Sequence, residues 1–358
     1  MSRLIGLACF AVVAASLMAA VVTAFLPFVP TQWWLVRLLD FPRLPFAIAT
    51  LALLALLPLV ARGRPRATLF LGVAGLAAVG ADAAVLWPYR AYGPAPLLAA
   101  KDCPVERRLS VMISNLLLTN RRSEGLLAEI RAEQPDLFLA MEVDDWWDRT
   151  LAPVAAEMPY GAKRITGSYY GIRLFSRLPL TGTEVRVLAG QDTPAIVTDV
   201  QMRDGTRATF LGMHPRPPLV GQSALPRDAQ LYAAARLLRE RDGPAILAGD
   251  LNATPWEDAV SRLRRIAGLV SPRQGRGYVY TFDATSWWMK WPLDQIDYRP
   301  GFTPVSVERL APFGSDHYPY LVRLCRDAGA PPPAAPPPVS TDDRDRMAEA
   351  DRAVGAGP

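Results

Sequence analysis

Histidine and cysteine are scarce in this chain, 2 and 3 residues respectively among 358. Cys9 sits in an apolar run near the amino terminus, while Cys103 and Cys325 bracket the more polar part of the chain. No pair has the close spacing of a zinc ligand set, so a cysteine-rich metal module is excluded. No segment repeats, which sets aside solenoids and propellers. Nor is there a long basic insertion interleaved with aromatics, the pattern by which proteins track a nucleic-acid backbone. The formal charge of +5 fits attraction to anionic lipid or phosphate substrates and is weak grounds for nucleic acid.

What is present is apolar and unevenly spread. Hydrophobic residues make up 51% of the chain, high for a wholly soluble protein. Three long runs hold the excess: Leu4 to Phe25 and Leu44 to Ala61 without a charge, and Ala67 to Trp87 with only Asp82. Each approaches the length needed to cross hydrocarbon, which predicts three transmembrane helices. The alternative for the first run is a cleaved signal peptide over residues 1 to 26, after the basic start at Arg3. Arg62, Arg64 and Arg66 crowd the link between runs two and three, and Arg3 precedes run one. The positive-inside bias therefore places the amino terminus and that link in the cytoplasm, and everything after Trp87 in the periplasm or outside the cell. The loop between runs one and two carries Arg37 and Arg43, but also Asp40 and the tryptophans Trp33 and Trp34, which suit an interfacial belt on the outer side. Asp82 either serves a function, as intramembrane acids often do, or reaches the nearby interface. In an oxidising compartment Cys103 and Cys325 either form a disulfide tying the first and last strands together or remain two partly buried thiols.

The domain plan is a membrane anchor over residues 1–92, a Pro- and Ala-containing linker at 93–102, a globular domain at 103–327, and a Pro/Ala-rich tail at 328–358 expected to be disordered or an extended spacer for want of bulky apolar residues. Within the globular part, RLSVMISNLL, DLFLAMEV, GIRLFSR, AIVTDVQM, RATFLGMH, PAILAGDL, PLDQIDYR and YPYLVRLC read as strands. SEGLLAEIRAEQ, AQLYAAARLLRERD and WEDAVSRLRRIAG read as helices. Many strands with few helices between them predict an α+β fold, a two-sheet sandwich flanked by helices.

Polar residues recur where these strands end. Asn115 closes the first, Glu142 follows LFLAM, His214 follows ATFLGM, Asp250 and Asn252 follow AILAG, and Asp316 with His317 precede the last. An acid placed directly after a buried strand costs free energy unless a metal or a histidine partners it. The segments ISNLL, QPDLFLAMEV, YYGIRLFSRLPL, LGMHPRPP, ILAGDLNATPW, PLDQI and GSDHYPYLV, in this order, resemble the endonuclease/exonuclease/phosphatase (DNase I-like) superfamily, which includes DNase I, exonuclease III-like nucleases, sphingomyelinases and inositol phosphatases. Both histidines of the chain fall in motifs where that superfamily uses one.

The resemblance implies a DNase I-like four-layer α/β/β/α sandwich and a metal-dependent phosphoesterase. By it, Glu142 is the main ligand of Mg²⁺, with Mn²⁺ as an alternative ion; Asn115 helps place the metal or a phosphate oxygen, and Asp316 completes the site near the metal or His317. Asp250 orients and deprotonates the attacking water, Asn252 holds the phosphate, and His214 and His317 donate to the phosphoryl oxygens. Asp294 is the expected partner that aims His317. Asp297 is the competitor, but it lies an odd number of residues further along the strand and so on the opposite face. Trp146, Trp147, Trp287, Trp288 and Trp291 are either a rim touching substrate or bilayer, or loop packing. Arg173, Arg177 and Arg216 either meet a substrate phosphate or serve solubility.

Three spans before such a domain resemble the membrane-tethered branch that includes the VanJ-type glycopeptide-resistance protein. That branch implies membrane lipids as surroundings and a lipid-linked phosphate or pyrophosphate, such as undecaprenyl pyrophosphate, as substrate. The competing expectations are an envelope nuclease acting on external DNA and a catalytically inactive binding module. The intact polar set speaks against the last, and no obligate protein partner is expected.

Overall fold

The computed structural model of the protein describes residues 2–91, 103–190, 193–299, 301–327 and 337–355. The expected linker at 93–102 lies outside the described residues, as does 328–336 of the expected tail. Two compact units result, one centred on residues 2–90 and the other on the remainder.

The first unit contains the helices α1 (Ser2–Phe25), α2 (Trp34–Leu38), α3 (Arg43–Val60) and α4 (Pro65–Leu86). Three of its helical segments are long and apolar enough to cross a membrane. Their seam is built from Val13, Leu17, Leu57, Ala61 and Leu71. A Cβ on Gly75 would stand 2.8 Å from Leu54 Cδ2, so a small residue lets α3 and α4 approach. Leu51, Leu59, Leu69 and Phe70 point outward and are at least half exposed. Helices that are apolar on their outer surface as well as at the seam belong in hydrocarbon rather than water. Asp82 does not reach for solvent: it is buried and ion-paired with Arg43 at 3.0 Å, and Arg43 also holds Asp40 at 2.9 Å.

In the second unit the strands are β1 (Arg108–Asn115), β2 (Leu137–Met141), β3 (Tyr160–Arg164), β4 (Ile172–Ser176), β5 (Leu180–Val187), β6 (Pro194–Gln201), β7 (Arg207–Met213), β8 (Ala245–Asp250), β9 (Asp294–Tyr298), β10 (Phe302–Arg309) and β11 (Tyr320–Arg326). The helices are α5 (Glu124–Glu133), α6 (Asp145–Thr150), α7 (Ala152–Glu157), α8 (Leu225–Arg239), α9 (Asp258–Ala267) and α10 (Thr341–Gly355). One sheet runs β10-β11-β1-β2-β4-β3 and the other β5-β6-β7-β8-β9.

Side-chain alternation decides the layers. Val111, Ile113, Leu137, Leu139, Ile246 and Ala248 face the opposite sheet. Their neighbours Met112, Phe138 and Ala140 point instead to the core under α5 and α6, and Ala245 and Leu247 to the core under α8 and α9. Strands buried on both faces read as nearly continuous apolar runs, which is why β1, β2 and β8 were legible. The result is the expected α/β/β/α sandwich. Each sheet contains one parallel pair joined by a helix, β1–α5–β2 and β7–α8–β8. Parallel crossovers place the carboxyl ends of both strands at the same edge.

One expectation fails. The tail is not disordered throughout, because 341–355 forms α10. Ser340 and Asp343 cap its start reciprocally, with Asp343 N to Ser340 Oγ at 3.0 Å and Ser340 N to Asp343 Oδ2 at 3.2 Å. Ala350 is fully buried, and Met347 and Val354 pack on the core under α8 and α9. Asp343 pairs with Arg262 at 2.9 Å and with Arg265. Small apolar residues plus four arginine–carboxylate contacts, including Arg262–Asp342 and Arg236–Asp351, replace the bulky side chains that composition lacked.

Candidate active site

The ends of β1, β2, β7 and β8 meet where the two sheets pack, and the polar residues predicted there form one connected string. Asn115 Nδ2 donates to Glu142 Oε1 at 2.9 Å and to Asp250 Oδ2 at 3.2 Å. The same Asp250 oxygen lies 3.5 Å from His317 Nε2 and 3.7 Å from His214 Nε2. His317 Nδ1 contacts Asp294 Oδ2 at 2.7 Å. Asn115, Glu142, His214, Asp250, Asp294 and His317 are all buried, and Asp316 and Asn252 are half-buried.

Backbone geometry sets these side chains. Glu142 and Asn252 adopt left-handed φ of +60° and +49°, an uncommon conformation for residues with a Cβ and one that recurs at functional sites. Gly171 permits the Glu142 turn, since a Cβ there would lie 1.9 Å from Val143 O. Gly249, at φ +151°, has the same function beside His214, because its Cβ would lie 1.8 Å from Met213 O. Glu142 Oε2 accepts from Leu118 N at 2.8 Å. Asp250 Oδ1 accepts from Asn252 N at 2.9 Å, and Asn252 Nδ2 donates to Pro215 O at 2.9 Å, tying β8 to the residue after His214.

The choice between Asp294 and Asp297 is settled by the strand's pleat. Asp297 points to the other face and pairs with Arg264 at 2.7 Å. Burial alone would lower the His317 pKa, but Asp294, Asp250 and Asp316 outweigh it and push it up to about 10. His317 is therefore an imidazolium at neutral pH, with a carboxylate facing each ring nitrogen. Burial raises Asp316; His317 pulls it down, and Glu142 and Asp283 push it further up.

Two groupings can hold a cation. Single ligand atoms of Asp250, Asp294 and His317 lie within 4.8 Å of one another, where the His317 ring is already engaged by Asp294 Oδ2 at 2.7 Å. Glu142 and Asp316 offer hard carboxylate oxygens, and Glu142 is one of the charges that push Asp316 up after burial. Carboxylate oxygens are the donors a hard divalent cation takes. Asn115, expected to help place the metal or a phosphate oxygen, accepts from Leu117 N at 3.0 Å through its amide oxygen, and its nitrogen faces the carboxylates.

Three supporting residues were not singled out from the sequence. Ser315 Oγ donates to Asn115 O at 2.8 Å and accepts from His317 N at 3.0 Å, joining residues two hundred positions apart. The Phe282 ring lies 4.8 Å from that of His317, and the Tyr170 ring 6.0 Å from that of His214. The serine in GSDH was the one signal available. Of the arginines weighed, Arg173 pairs with Asp148 and Arg177 with Glu157, while Arg216 is exposed. Trp147 is core, with Trp146 edge-on against it at 4.9 Å. Trp291 stacks on Phe282 at 5.7 Å, whereas Trp287 is 90% exposed.

Comparison with known proteins agrees. The catalytic domain of human Nocturnin with bound sulfate superposes with a TM-score of 0.52 at 20% identity, covering 63% of this chain and 97% of that one. D. rerio TDP2 complexed with single-strand DNA product gives 0.53 at 18%, covering 61% and 98%. An endonuclease/exonuclease/phosphatase from Bacteroides vulgatus gives 0.51 at 18%, covering 62% and 99%. At such identities the likeness establishes the fold. No curated protein sequence matches the chain. The Endonuclease/Exonuclease/phosphatase family matches over residues 112–317, more than half the chain and from β1 to His317. The chain belongs to that family, and is a metal-dependent phosphoester hydrolase of the DNase I-like fold.

Proposed function

We propose that this protein is a membrane-anchored, Mg²⁺-dependent phosphoesterase that hydrolyses a lipid-linked phosphate or pyrophosphate, such as undecaprenyl pyrophosphate, at the outer face of the cytoplasmic membrane. The reading is carried by one observation: a hydrolytic site strung from Glu142 to Asp294 occurs in the same chain as three helices apolar enough to span a bilayer. A site tethered to the membrane meets a lipid-borne substrate at high effective concentration.

Two features support the outer placement. A disulfide joins Cys103 to Cys325, with Cα atoms 5.7 Å apart, and disulfides persist in oxidising compartments. Arg37 and Arg43 are ion-paired with Asp40 and Asp82, whereas no ion pair is seen for Arg62, Arg64 or Arg66 among the described residues. The uncompensated cations therefore lie in the link assigned to the cytoplasm.

In the proposed mechanism Glu142 and Asp316 would hold Mg²⁺, with Mn²⁺ as a substitute. When bound, the ion supplies positive charge on the phosphoryl oxygens. Asn115 keeps Glu142 and Asp250 in fixed relation. Asp250, within reach of both imidazoles, orients the attacking water and takes its proton as the new P–O bond forms and the P–O bond to the lipid-borne leaving group breaks. His317, charged at neutral pH and aimed by Asp294, donates to a phosphoryl oxygen, with His214 on the other side of Asp250. Asn252 steadies the segment that carries His214. Purified full-length protein offered undecaprenyl pyrophosphate, bis-p-nitrophenyl phosphate and plasmid DNA, with Mg²⁺ or EDTA, separates the alternatives. Mg²⁺-dependent phosphate release from the lipid is expected. Cleavage of DNA without lipid turnover would establish a nuclease instead, and inertness toward all three a binding module.

A further inference from the structure

Trp287 is 90% and Trp288 45% exposed, on a loop tied to the active site. Ala284 N donates to Asp316 O at 2.7 Å, Phe282 N to Trp291 O at 2.9 Å, and Tyr318 N to Thr281 O at 2.8 Å. Within the loop, the polar groups are consumed locally. Asp283 Oδ1 accepts from Thr285 N and Oγ1 at 2.7 and 2.6 Å, and Ser286 Oγ accepts from Trp288 N and Met289 N at 3.3 and 3.0 Å. The apex thus presents indole rings on a braced scaffold. At its base Lys290 Nζ lies 5.3 and 5.4 Å from the rings of Tyr280 and Tyr318, and Arg309 Cζ lies 3.9 and 4.6 Å from the same rings. Tyr169 and Leu219, near Tyr170 and His214 in the chain, are also exposed.

We infer that the Trp287–Trp288 loop inserts into the lipid surface and seats the active site against it. An aromatic apex above a cationic collar matches the boundary between acyl chains and anionic headgroups. Exposed tryptophans cost free energy in water and gain it at an interface. The occupant is a bilayer rather than a protein, because this chain carries three helices long and apolar enough to cross one. The activity consequence rests on the proposed lipid-linked substrate; insertion itself does not.

The test uses full-length protein in phosphatidylcholine–phosphatidylglycerol vesicles with or without brominated acyl chains, comparing wild type with W287A/W288A and W287F/W288F. The emission lost on substitution should be the component that brominated lipid quenches. Turnover of vesicle-borne undecaprenyl pyrophosphate should fall about tenfold in the alanine variant and recover in the phenylalanine variant. Hydrolysis of soluble bis-p-nitrophenyl phosphate should stay within about twofold, showing an intact site. Indole emission that brominated lipid leaves untouched overturns the insertion, even where lipid turnover persists. Quenched indoles without turnover of any lipid-borne phosphate keep the insertion and remove the proposed substrate.

Discussion

His317 is a buried imidazolium whose charge is maintained by carboxylates, and that dependence makes it testable. Its pKa in the folded chain, about 10, exceeds the ordinary 6.5. The stability it contributes is therefore fully present below about pH 6.5 and is lost as pH rises through about 10. Replacing Asp294 removes the strongest attraction, so D294N should move the alkaline limb of the kcat profile to lower pH and reduce kcat about a hundredfold, with KM nearly unchanged. A parallel drop at all pH values, with no shift of the limb, would contradict this. E142Q should abolish calorimetric Mg²⁺ binding while leaving the thermal transition of the metal-free protein near that of wild type. Much of this was legible. The acids and histidines were found because each follows or precedes a buried strand, and strand parity separated Asp294 from Asp297. Ser315 and Phe282 were not, because their contacts to Asn115 and His317 join segments that nothing local relates. Asn115 was assigned to the metal by resemblance, and only the hydrogen bond from Leu117 N reveals that its oxygen is engaged.

Elements were legible in proportion to how much apolar surface they bury. β1, β2 and β8, with almost every residue buried, were found; β3 and β5, mostly exposed, are polar along their length and held in place by the neighbouring strand's backbone. The error over α10 has the same origin. Composition said that nothing there could pack, yet Ser340 and Asp343 form a capping box written plainly in the sequence as STDD. Its docking on α8 and α9 predicts that deleting residues 337–358 destabilises the catalytic unit by about 2 kcal/mol in denaturant titrations, from lost burial of Met347, Ala350 and Val354. Activity per folded molecule should be unchanged, since α10 packs on the layer away from the opposite sheet. Burial raises the Asp343 pKa, but Ser340 and Arg265 outweigh it and hold it below the usual carboxylate range. Its contribution is present above about pH 4 and lost as pH falls. The stability difference between full-length and truncated protein should therefore shrink under acid; a difference that grows there would show that the ion pairs do not hold the helix.

For the whole molecule, fold and compartment are joined through Cys103 and Cys325. Their bridge closes 222 residues of chain and fastens the segment preceding β1 to the end of β11, where Arg108 and Cys325 are already register partners. Since β1 and β11 are adjacent and central in their sheet, the covalent link restrains the unfolded chain without having to create the pairing it closes. Loss of such a loop constraint costs about 2–5 kcal/mol. C103S/C325S, or reductant applied to the wild type, should lower the melting temperature of the catalytic unit, and reductant should have no further effect on the double variant. Mg²⁺-dependent turnover at low temperature should survive, because the string from Glu142 to Asp294 lies at the carboxyl ends of β1 and β2, whereas the bridge sits where β1 begins. The same bond reports on topology. A catalytic unit on the outer side should carry Cys103 and Cys325 oxidised in intact cells and resistant to a membrane-permeant thiol label applied without reductant, and a phosphatase reporter fused after residue 355 should be active. Quantitative labelling of both cysteines in unreduced cells, together with an inactive reporter, would place the site in the cytoplasm and force a different substrate.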